Sequence, residues 1–455
     1  MRTIGACLLV GATLATALPA SSQTLEDALV KAYQNNPTLK ARRAALRATD
    51  ETVPQALSGW RPTLSVSGSK GWSVSDATTI TSTNKSRYVT YPATASLTVT
   101  QNLYRGGRTT AAVEGAENDV KAGRAGLSLT EQTVLLSAAT AYADVVRDQA
   151  VLELNINNER VLQRQTEATQ DRFRVGEVTR TDVSQAESRQ SLARANRISA
   201  EGSLTDSRAA YENIVGEKPP VLRPAQPLQD IPESLEGSIA LAKANNFAVT
   251  QARFVEESAK DNIREITGEL LPTVTVNGEI EANRETTTRR AENEGASVIL
   301  RVSMPLYASG SVTARVRGAK QVASQRRDEY DQAVRDAVEA ATAAWQLLET
   351  GRAQIRAFSA AVSAAQIALE GVREEANVGS RTVLDVLDAE QELLNARVSL
   401  VRAQRDELVA TFQLRQAVGN LTAASLGLPV EVYDPSKHYR DVRGKWWGLE
   451  ASDGR

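Results

Sequence analysis

Two aspartates in the last fifth of the chain have the spacing that a charged constriction requires. Asp385 and Asp388 are three residues apart, and on a helix this spacing places both carboxylates on one face. Carboxylates that line an aqueous bore select cations over anions. If several copies of this face meet around a bore, crowding is expected to raise some of the aspartate pKa values.

One of these aspartates also has a simpler explanation. Thr179 and Asp182 have the same spacing as Thr382 and Asp385, and each pair fits a helix capping box in which Asp replaces the usual Glu. Capping and the favourable helix dipole would by themselves account for Asp182 and Asp385. Asp388 lies outside both capping boxes.

The chain offers few side chains for catalysis or metal binding. It has one histidine, His438, and one cysteine, Cys7, and the cysteine falls within a predicted secretory signal peptide at residues 1–22. The mature chain therefore has no thiol, and no glycine-rich phosphate-binding loop follows a strand pattern. Nucleophilic catalysis and metal clusters lack the residues they need, so we expect no enzymatic activity, no cofactor and no metal.

The composition favours long helices over a compact enzyme core. Only 4% of the 455 residues are aromatic, and the formal net charge of −2 gives no basic excess for nucleic acid. The mature sequence also lacks a run of about 18 apolar residues, which excludes a membrane-spanning helix. Only strands could then carry the chain across a membrane.

An internal repeat organises the mature chain. Early in each half, matching residues such as Pro62 and Pro272 are 210 positions apart. Later in each half, matching residues such as Gly176 and Gly379 are 203 positions apart. The first half must therefore carry an insert within 68–103, which we expect to be a loop.

Each half contains two segments in which apolar and polar side chains alternate with a period of two, as in strands. These segments are residues 63–74, 93–103, 273–280 and 297–304. Soluble hairpins on a core would show the same alternation, but the length suits a tilted bilayer crossing, and Glu279, Glu281 and Arg301 suit a wet lumen. The connections 75–89 and 283–294 are predicted to be extracellular loops. Four strands cannot close a barrel, for which about eight are needed, so a membrane location requires oligomerisation.

Long stretches without proline follow the strand segments, and their Ala-rich composition predicts helix. A helix from Arg108 to Phe173 would be about 95 Å long at 1.5 Å per residue. Glycines at Val175-Gly176 and Val378-Gly379 permit the left-handed conformation that ends a helix. The sequence therefore predicts two long helical hairpins with sharp tips, packed with imperfect coiled-coil spacing.

The expected fold class is mixed and mainly α, with an internal duplication. Its parts are the signal peptide (1–22), a first repeat (23–216, with a β-hairpin at about 62–104 and a tip at 175–182), a proline-rich linker (217–234), a second repeat (235–429, with a β-hairpin at about 272–307 and a tip at 378–385) and a C-terminal tail (430–455). The tail, which includes Trp446 and Trp447, is expected to be a flexible end.

Several of these segments closely resemble the TolC family of outer-membrane efflux and secretion channel proteins. The resemblance is carried by residues 378–390, 395–397 and 418–419, and by the opening at 25–29. It implies a homotrimer whose four strands per chain form a twelve-stranded barrel in the outer membrane of a Gram-negative bacterium, continuous with a periplasmic tunnel of long helices. It also implies a passive exit duct of a tripartite export system, for multidrug efflux or type I protein secretion.

The same resemblance implies partners and a gate. The partners are outer-membrane lipid, a periplasmic adaptor (membrane fusion) protein and an inner-membrane transporter of RND or ABC type, without nucleic acid. Asp385 and Asp388 would form the aspartate ring of the periplasmic constriction. Arg381 would link to Thr181 and Asp182 and hold the entrance shut.

The tips themselves are implied to contact the adaptor, through Val175-Gly176 and Val378-Gly379. Ala376 stands where the family commonly has a tyrosine latch, which implies that closure depends more on Arg381 or is weaker. A periplasmic coiled-coil adaptor or scaffold without a pore is the alternative function. It would share the long helices but hold its strands in soluble domains.

Overall fold

The computed structural model describes residues 23–78, 85–286 and 289–451. The predicted signal peptide at 1–22 and the centres of both predicted strand connections lie outside these ranges. Within the described ranges, no helix combines the length and the apolar character needed to cross a membrane.

Helices and strands follow in the same order in the two halves. The first half contains α1 (Leu25–Asn35), α2 (Pro37–Asp50), α3 (Thr52–Leu57), β1 (Thr63–Lys70), β2 (Ser73–Thr78), β3 (Lys85–Thr90), β4 (Ala93–Arg105), α4 (Arg108–Arg174) and α5 (Arg180–Val215). The second half contains α6 (Leu235–Asn245), α7 (Phe247–Thr267), β5 (Thr273–Arg284), β6 (Glu292–Ser303), α8 (Ser311–Asn377), α9 (Val383–Ala417) and α10 (Lys437–Val442). The prediction of a mainly helical, mixed fold is confirmed.

Two helices dominate the length of the molecule. α4 and α8 each contain 67 residues, which corresponds to about 100 Å at 1.5 Å per residue. Each begins directly after a left-handed glycine, Gly107 at φ 76° and Gly310 at φ 77°. α5 packs along α4, α9 packs along α8, and α9 also contacts α4, so the two helical hairpins form one elongated body.

The main sheet has the strand order β1-β4-β5-β6, and every neighbouring pair is antiparallel. Residues that oppose each other in such pairs lie on the same face. The register places an apolar row on one face, formed by Leu64, Val66, Leu97, Val99, Val276, Ile280, Val298, Leu300 and Val302. Glu279, Glu281 and Arg301 lie on the opposite face among Ser, Thr and Asn. Among the described strands, β1 and β6 each have a single partner in this sheet, so both of its edges are open.

The prediction that 75–89 and 283–294 are loops is wrong for the parts of both segments that form strands. β2 pairs with β3 as a separate two-stranded ribbon, from Ser73 opposite Thr90 to Thr78 opposite Lys85. β5 and β6 stay paired out to Arg284 and Glu292. Strand pairing uses backbone groups and therefore needs no apolar face. Cross-strand ion pairs support these polar extensions, with Arg87 Nε 3.1 Å from Asp76 Oδ1 and Arg284 Nε 3.3 Å from Glu292 Oε1.

The largest buried cluster, here called the central core, lies around the middle of α4. It is formed by α1, α2, α4, α5, α9 and the segments after α5 and α9. Tyr142, Tyr211 and Phe412 are almost completely buried in it. The Tyr142 hydroxyl shares its hydrogen between the carbonyl of Arg223 at 2.7 Å and the carbonyl of Gln23 at 3.0 Å, which fixes the linker and Gln23 against the helices.

The prediction of a flexible C-terminal end is also wrong for residues 430–451. α10 packs against α2, and its His438 is buried with Nδ1 3.1 Å from Asp50 Oδ2. Burial raises the pKa of Asp50, and the His438 hydrogen bond opposes that rise. Arg443 donates to Glu117 of α4 at 3.0 Å. A polar sequence therefore packs here because its charges find partners on the helices, which composition does not reveal.

Candidate functional site

Both helical hairpins turn through the same backbone motif. α4 and α8 end at left-handed glycines, Gly176 at φ 83° and Gly379 at φ 79°, a conformation that disfavours residues with a Cβ. The amide of each glycine donates to the carbonyl three residues earlier, at 3.0 and 3.1 Å. The next amide donates to the carbonyl five residues earlier, at 2.9 Å in both turns. The long helices therefore end in closed, well-satisfied turns.

The returning helices begin with capping boxes. The Thr179 amide and hydroxyl each donate to Asp182 Oδ2 at 2.8 Å, and the Thr382 amide and hydroxyl donate to Asp385 Oδ2 at 2.9 and 2.8 Å. These hydrogen bonds, with the backbone amide contributing most, hold the pKa of Asp182 and of Asp385 below the usual value. Within one chain, the pKa of Asp385 is therefore lowered, and the expected rise of some aspartate pKa values concerns several copies that meet around a bore.

A small apolar cluster joins the two tips. Val383 and Leu387 of α9 pack against Leu162 of α4 and against Ala186 and Ala193 of α5. Because these apolar residues pack against each other, the two tips lie side by side. The charged residues beside this cluster therefore lie on the surface of the two tips.

Asp388 has a partner that the sequence reasoning missed. Its Oδ1 accepts a hydrogen bond from Arg189 Nη2 of α5 at 2.6 Å, and both side chains are partly exposed. In the repeat, Asp388 corresponds to Gln185 and Arg189 corresponds to Glu392. The loss of matching charge at both positions is the signal that could have indicated a contact between the halves.

Each tip also carries an ion pair between the last helical turn and the turn that follows, with reversed polarity. In the first tip, Arg172 Nε lies 3.1 Å from Glu177 Oε2. In the second tip, Arg381 Nε lies 2.9 Å from Glu375 Oε2. Glu375 corresponds to Arg172 in the repeat, so the change of charge at this position is visible in the sequence, whereas Arg381 corresponds to Val178 and gives no such signal.

Asp182 and Arg381 of the expected gate line one open cleft of about 790 Å³ between the tips, and Thr181 lies outside its lining. Asp182 and Ala376 contribute to its walls, as does Arg381. Among the described residues of a single chain, Arg381 forms no hydrogen bond or ion pair with Thr181 or Asp182; it pairs with Glu375 instead. The expected link between Arg381 and Asp182 is therefore not formed within one chain, although both residues line the same cleft.

The ends of the tips expose apolar surface. Val175 is 72% exposed and Val378 is 80% exposed, each directly before its turn glycine. Within the described part of the chain, no group of histidine, cysteine, aspartate and glutamate side chains could hold a metal ion. The arrangement offers charged and apolar contacts to other polypeptides and ions, and the carboxylates nearby are caps or ion-pair partners.

Comparisons with known proteins agree with this architecture. Residues 28–217 and 238–420 match the sequence profile of a family described as Outer membrane efflux protein. The outer membrane efflux protein BepC of Brucella suis is 36% identical over 454 residues, which cover 99% of this chain and 97% of BepC. The outer membrane protein TolC of Vibrio cholerae is 28% identical, covering 91% of this chain and 95% of TolC.

A solved structure shares the fold. The crystal structure of the outer membrane protein VceC from Vibrio cholerae superposes with a TM-score of 0.75 at 21% sequence identity, covering 87% of this chain and 96% of VceC. That protein has the same arrangement of long helices and strands despite the low identity.

Proposed function

Because this chain belongs to the outer membrane efflux protein family, and is therefore an outer-membrane export channel and not an enzyme, we propose that three copies form one duct gated at the helix tips. The observation that carries the proposal is the joined pair of tips, which exposes Asp388 beside Asp385 and holds Asp182 and Arg381 in one cleft. Family membership also excludes the alternative of a pore-less adaptor or scaffold.

The open edges of the sheet support assembly. β1 and β6 leave backbone donors and acceptors without partners at both ends of a four-stranded sheet, and lipid cannot satisfy such groups. Pairing of β1 in one copy with β6 in the next closes the sheet. Three copies give a twelve-stranded barrel in which the apolar row faces lipid and Glu279, Glu281 and Arg301 face the lumen.

At the other end, the three tip pairs form the constriction. Asp385 and Asp388 from three copies give a ring of six carboxylates that favours cations. Arg189 lies against Asp388 and moderates the charge of the ring. In the assembly, crowding opposes the capping hydrogen bonds that lower the pKa of Asp385.

We place the closing link between neighbouring copies. Arg381 and Glu375 are both about half exposed, and an exposed ion pair contributes only about 0–1 kcal/mol. Arg381 can therefore exchange Glu375 for Thr181 and Asp182 of the next copy at little cost. Opening of the duct would reverse the exchange.

The exposed tip residues define where other components dock. Val175-Gly176 and Val378-Gly379 are proposed to contact a periplasmic adaptor, which couples the duct to an inner-membrane transporter of RND or ABC type. Cargo selection, between drugs and secreted proteins, is assigned to the transporter, because the described lumen-facing residues form a general polar surface.

The constriction is tested by planar-bilayer conductance under a salt gradient. The variant Asp385→Asn/Asp388→Asn should lose most of the cation selectivity of the wild type, whereas Arg189→Ala should increase it. Asp171→Asn is the matched control, because Asp171 is an exposed carboxylate in the last turns of α4 outside the proposed ring. Unchanged selectivity in the double variant would contradict the ring.

The gate is tested by comparing the two possible partners of Arg381. If the link joins neighbouring copies, Arg381→Ala and Asp182→Asn should both raise conductance, and Glu375→Gln should not. If Arg381 acts only through its own chain, Glu375→Gln should open the channel as much as Arg381→Ala does. Cross-linking of purified protein separately measures whether the assembly contains three copies.

A further inference from the structure

The C-terminal segment, here residues 418–451, follows α9 and runs along α4 towards the strands. Near its start, the Ala423 amide donates to Glu131 of α4 at 2.8 Å. Farther along, the Tyr439 hydroxyl donates to Glu117 at 3.2 Å. Glu117 lies about 21 Å closer than Glu131 to the strand end of α4, at 1.5 Å per residue.

The segment reaches the base of the sheet. Arg61 Nη1 donates to the carbonyl of Lys445 at 2.8 Å, and the Arg61 guanidinium lies 4.8 Å from the centroid of the Trp446 ring. Arg61 comes two residues before Thr63, the first residue of β1. Trp446 is therefore held at the level where the membrane-crossing strands meet the periplasmic helices.

Trp446 and Trp447 lie at the same end of the sheet as other exposed aromatic residues. Exposed aromatic side chains near the helix-proximal ends of the strands are Trp60, Tyr104 and Tyr307, and those near the opposite ends are Trp72 and Tyr91. Trp60 and Trp72 bracket β1, whose 8 residues span about 27 Å at 3.4 Å per residue. At the strand tilt of about 35–45° in membrane barrels, this length gives a height of about 19–22 Å, slightly less than the apolar band of about 25 Å that lies between the aromatic girdles.

The end of the tail exposes its apolar side chains to an unusual degree. Trp446 is 60% exposed and Trp447 is 85% exposed in the single chain, and Leu449 beside them is fully exposed. Yet the backbone here is anchored, since His438 is buried against Asp50 and Arg61 holds Lys445. An indole held by Arg61, with a second exposed indole next to it and cationic side chains nearby, is typical of residues that lie at a membrane–water interface.

We propose that residues 445–449 form an interfacial anchor that binds glycerophospholipid of the inner leaflet of the outer membrane. The rings of Trp446 and Trp447 and the side chain of Leu449 enter the region between headgroups and acyl chains. Arg61 and Lys445 face the lipid phosphates. The inference rests on the outer-membrane location of this family and is independent of the proposed gate.

Fluorescence quenching tests the anchor on the full-length protein. The protein is reconstituted into vesicles of phosphatidylethanolamine and phosphatidylglycerol, with and without lipid that carries bromine on acyl carbons close to the headgroup. Subtracting the emission of Trp446→Phe/Trp447→Phe from that of the wild type gives the emission of these two indoles alone. Phenylalanine keeps an aromatic ring at the interface, so the assembly and its conductance should be unchanged.

The expected result is that brominated lipid removes most of this difference emission and that acrylamide in the water removes little of it. Quenching by acrylamide alone would show solvated indoles and overturn the proposal. Resistance to both quenchers would show that protein covers the indoles, for example a neighbouring copy, and would overturn it equally. Trp345→Phe serves as the control, because Trp345 is partly buried beside an internal cluster of α8 and α9 and its emission should resist brominated lipid.

Discussion

The central core and the helix tips are made by the same repeat but are held together in different ways. In the central core, Tyr142, Tyr211 and Phe412 are almost completely buried, and the tyrosine hydroxyls bond to buried acceptors. At the tips, a small cluster around Leu387 is surrounded by capping boxes and exposed ion pairs. Packing fixes one arrangement, whereas exposed ion pairs can exchange partners at little cost. The molecule therefore combines a rigid body with tips whose ion pairs can rearrange.

The two regions should differ most in how much the free energy of unfolding falls when an aromatic ring is removed. Phe412→Ala leaves a cavity in the central core and should lower the free energy of unfolding by about 3–5 kcal/mol. Phe173→Ala removes the same ring from the tip end of α4, where Phe173 is 43% exposed, and should change it by no more than about 0.5 kcal/mol. Denaturant unfolding in detergent, followed by circular dichroism, measures both. Equal losses would show that the tips are packed as firmly as the core.

Breaking the contact between His438 of the tail and Asp50 should have the next largest effect on stability. His438→Ala leaves Asp50 buried without its partner, which should cost about 3 kcal/mol. Lys437→Ala alters the exposed neighbouring residue and is the control. Denaturant unfolding gives the loss of stability, and limited proteolysis shows whether residues 430–451 become accessible. A tail that stays protected in His438→Ala would mean that the contacts of Tyr439 and Arg443 with Glu117 of α4 suffice.

Removing a capping box should have a smaller effect on stability, and the effect should be confined to the tip concerned. Thr179→Ala and Thr382→Ala each remove a cap and should destabilise their tip by about 1 kcal/mol. Hydrogen exchange should accelerate in the first turns of α5 and α9 and stay unchanged in the central core. Thr133→Ala is the matched control, because its hydroxyl bonds only to its own helix, at Leu129. Loss of protection throughout the molecule would contradict the separation of the two regions.

Acid should weaken the same caps through Asp182 and Asp385. Their pKa values lie below 3.8 in the folded chain because threonine amides and hydroxyls donate to them. A carboxyl group with a lowered pKa gives its full stabilisation above the pKa of the unfolded chain and loses it as the pH falls through the folded value. Exchange protection factors of the tips should therefore fall below about pH 4. In Thr179→Ala/Thr382→Ala this pH dependence should become weaker but persist, because the backbone amides, which lower the two pKa values most, still donate to the aspartates.

Much of the architecture could be predicted from local patterns. The alternation that includes Val66 and Val298 predicted which strand residues share the apolar face, and the structure places both in the apolar row. The long helix predicted from Arg108 to Phe173 is observed as Arg108–Arg174. Thr382 and Asp385 form the predicted capping box. Each of these features depends on neighbours a few residues apart, so periodicity and turn chemistry contain the information.

What the tertiary structure decided are the contacts between distant segments. The pairs Arg189–Asp388 and Asp50–His438 join residues far apart in the chain, and the position of Trp446 depends on Arg61. The sequence by itself determined the repeat, the strands, the long helices and the capped tips, because short-range sterics and hydrogen bonding specify them. Only the packed structure could show which charges meet and where the tail ends, because a charged side chain binds whichever opposite charge the fold brings near it.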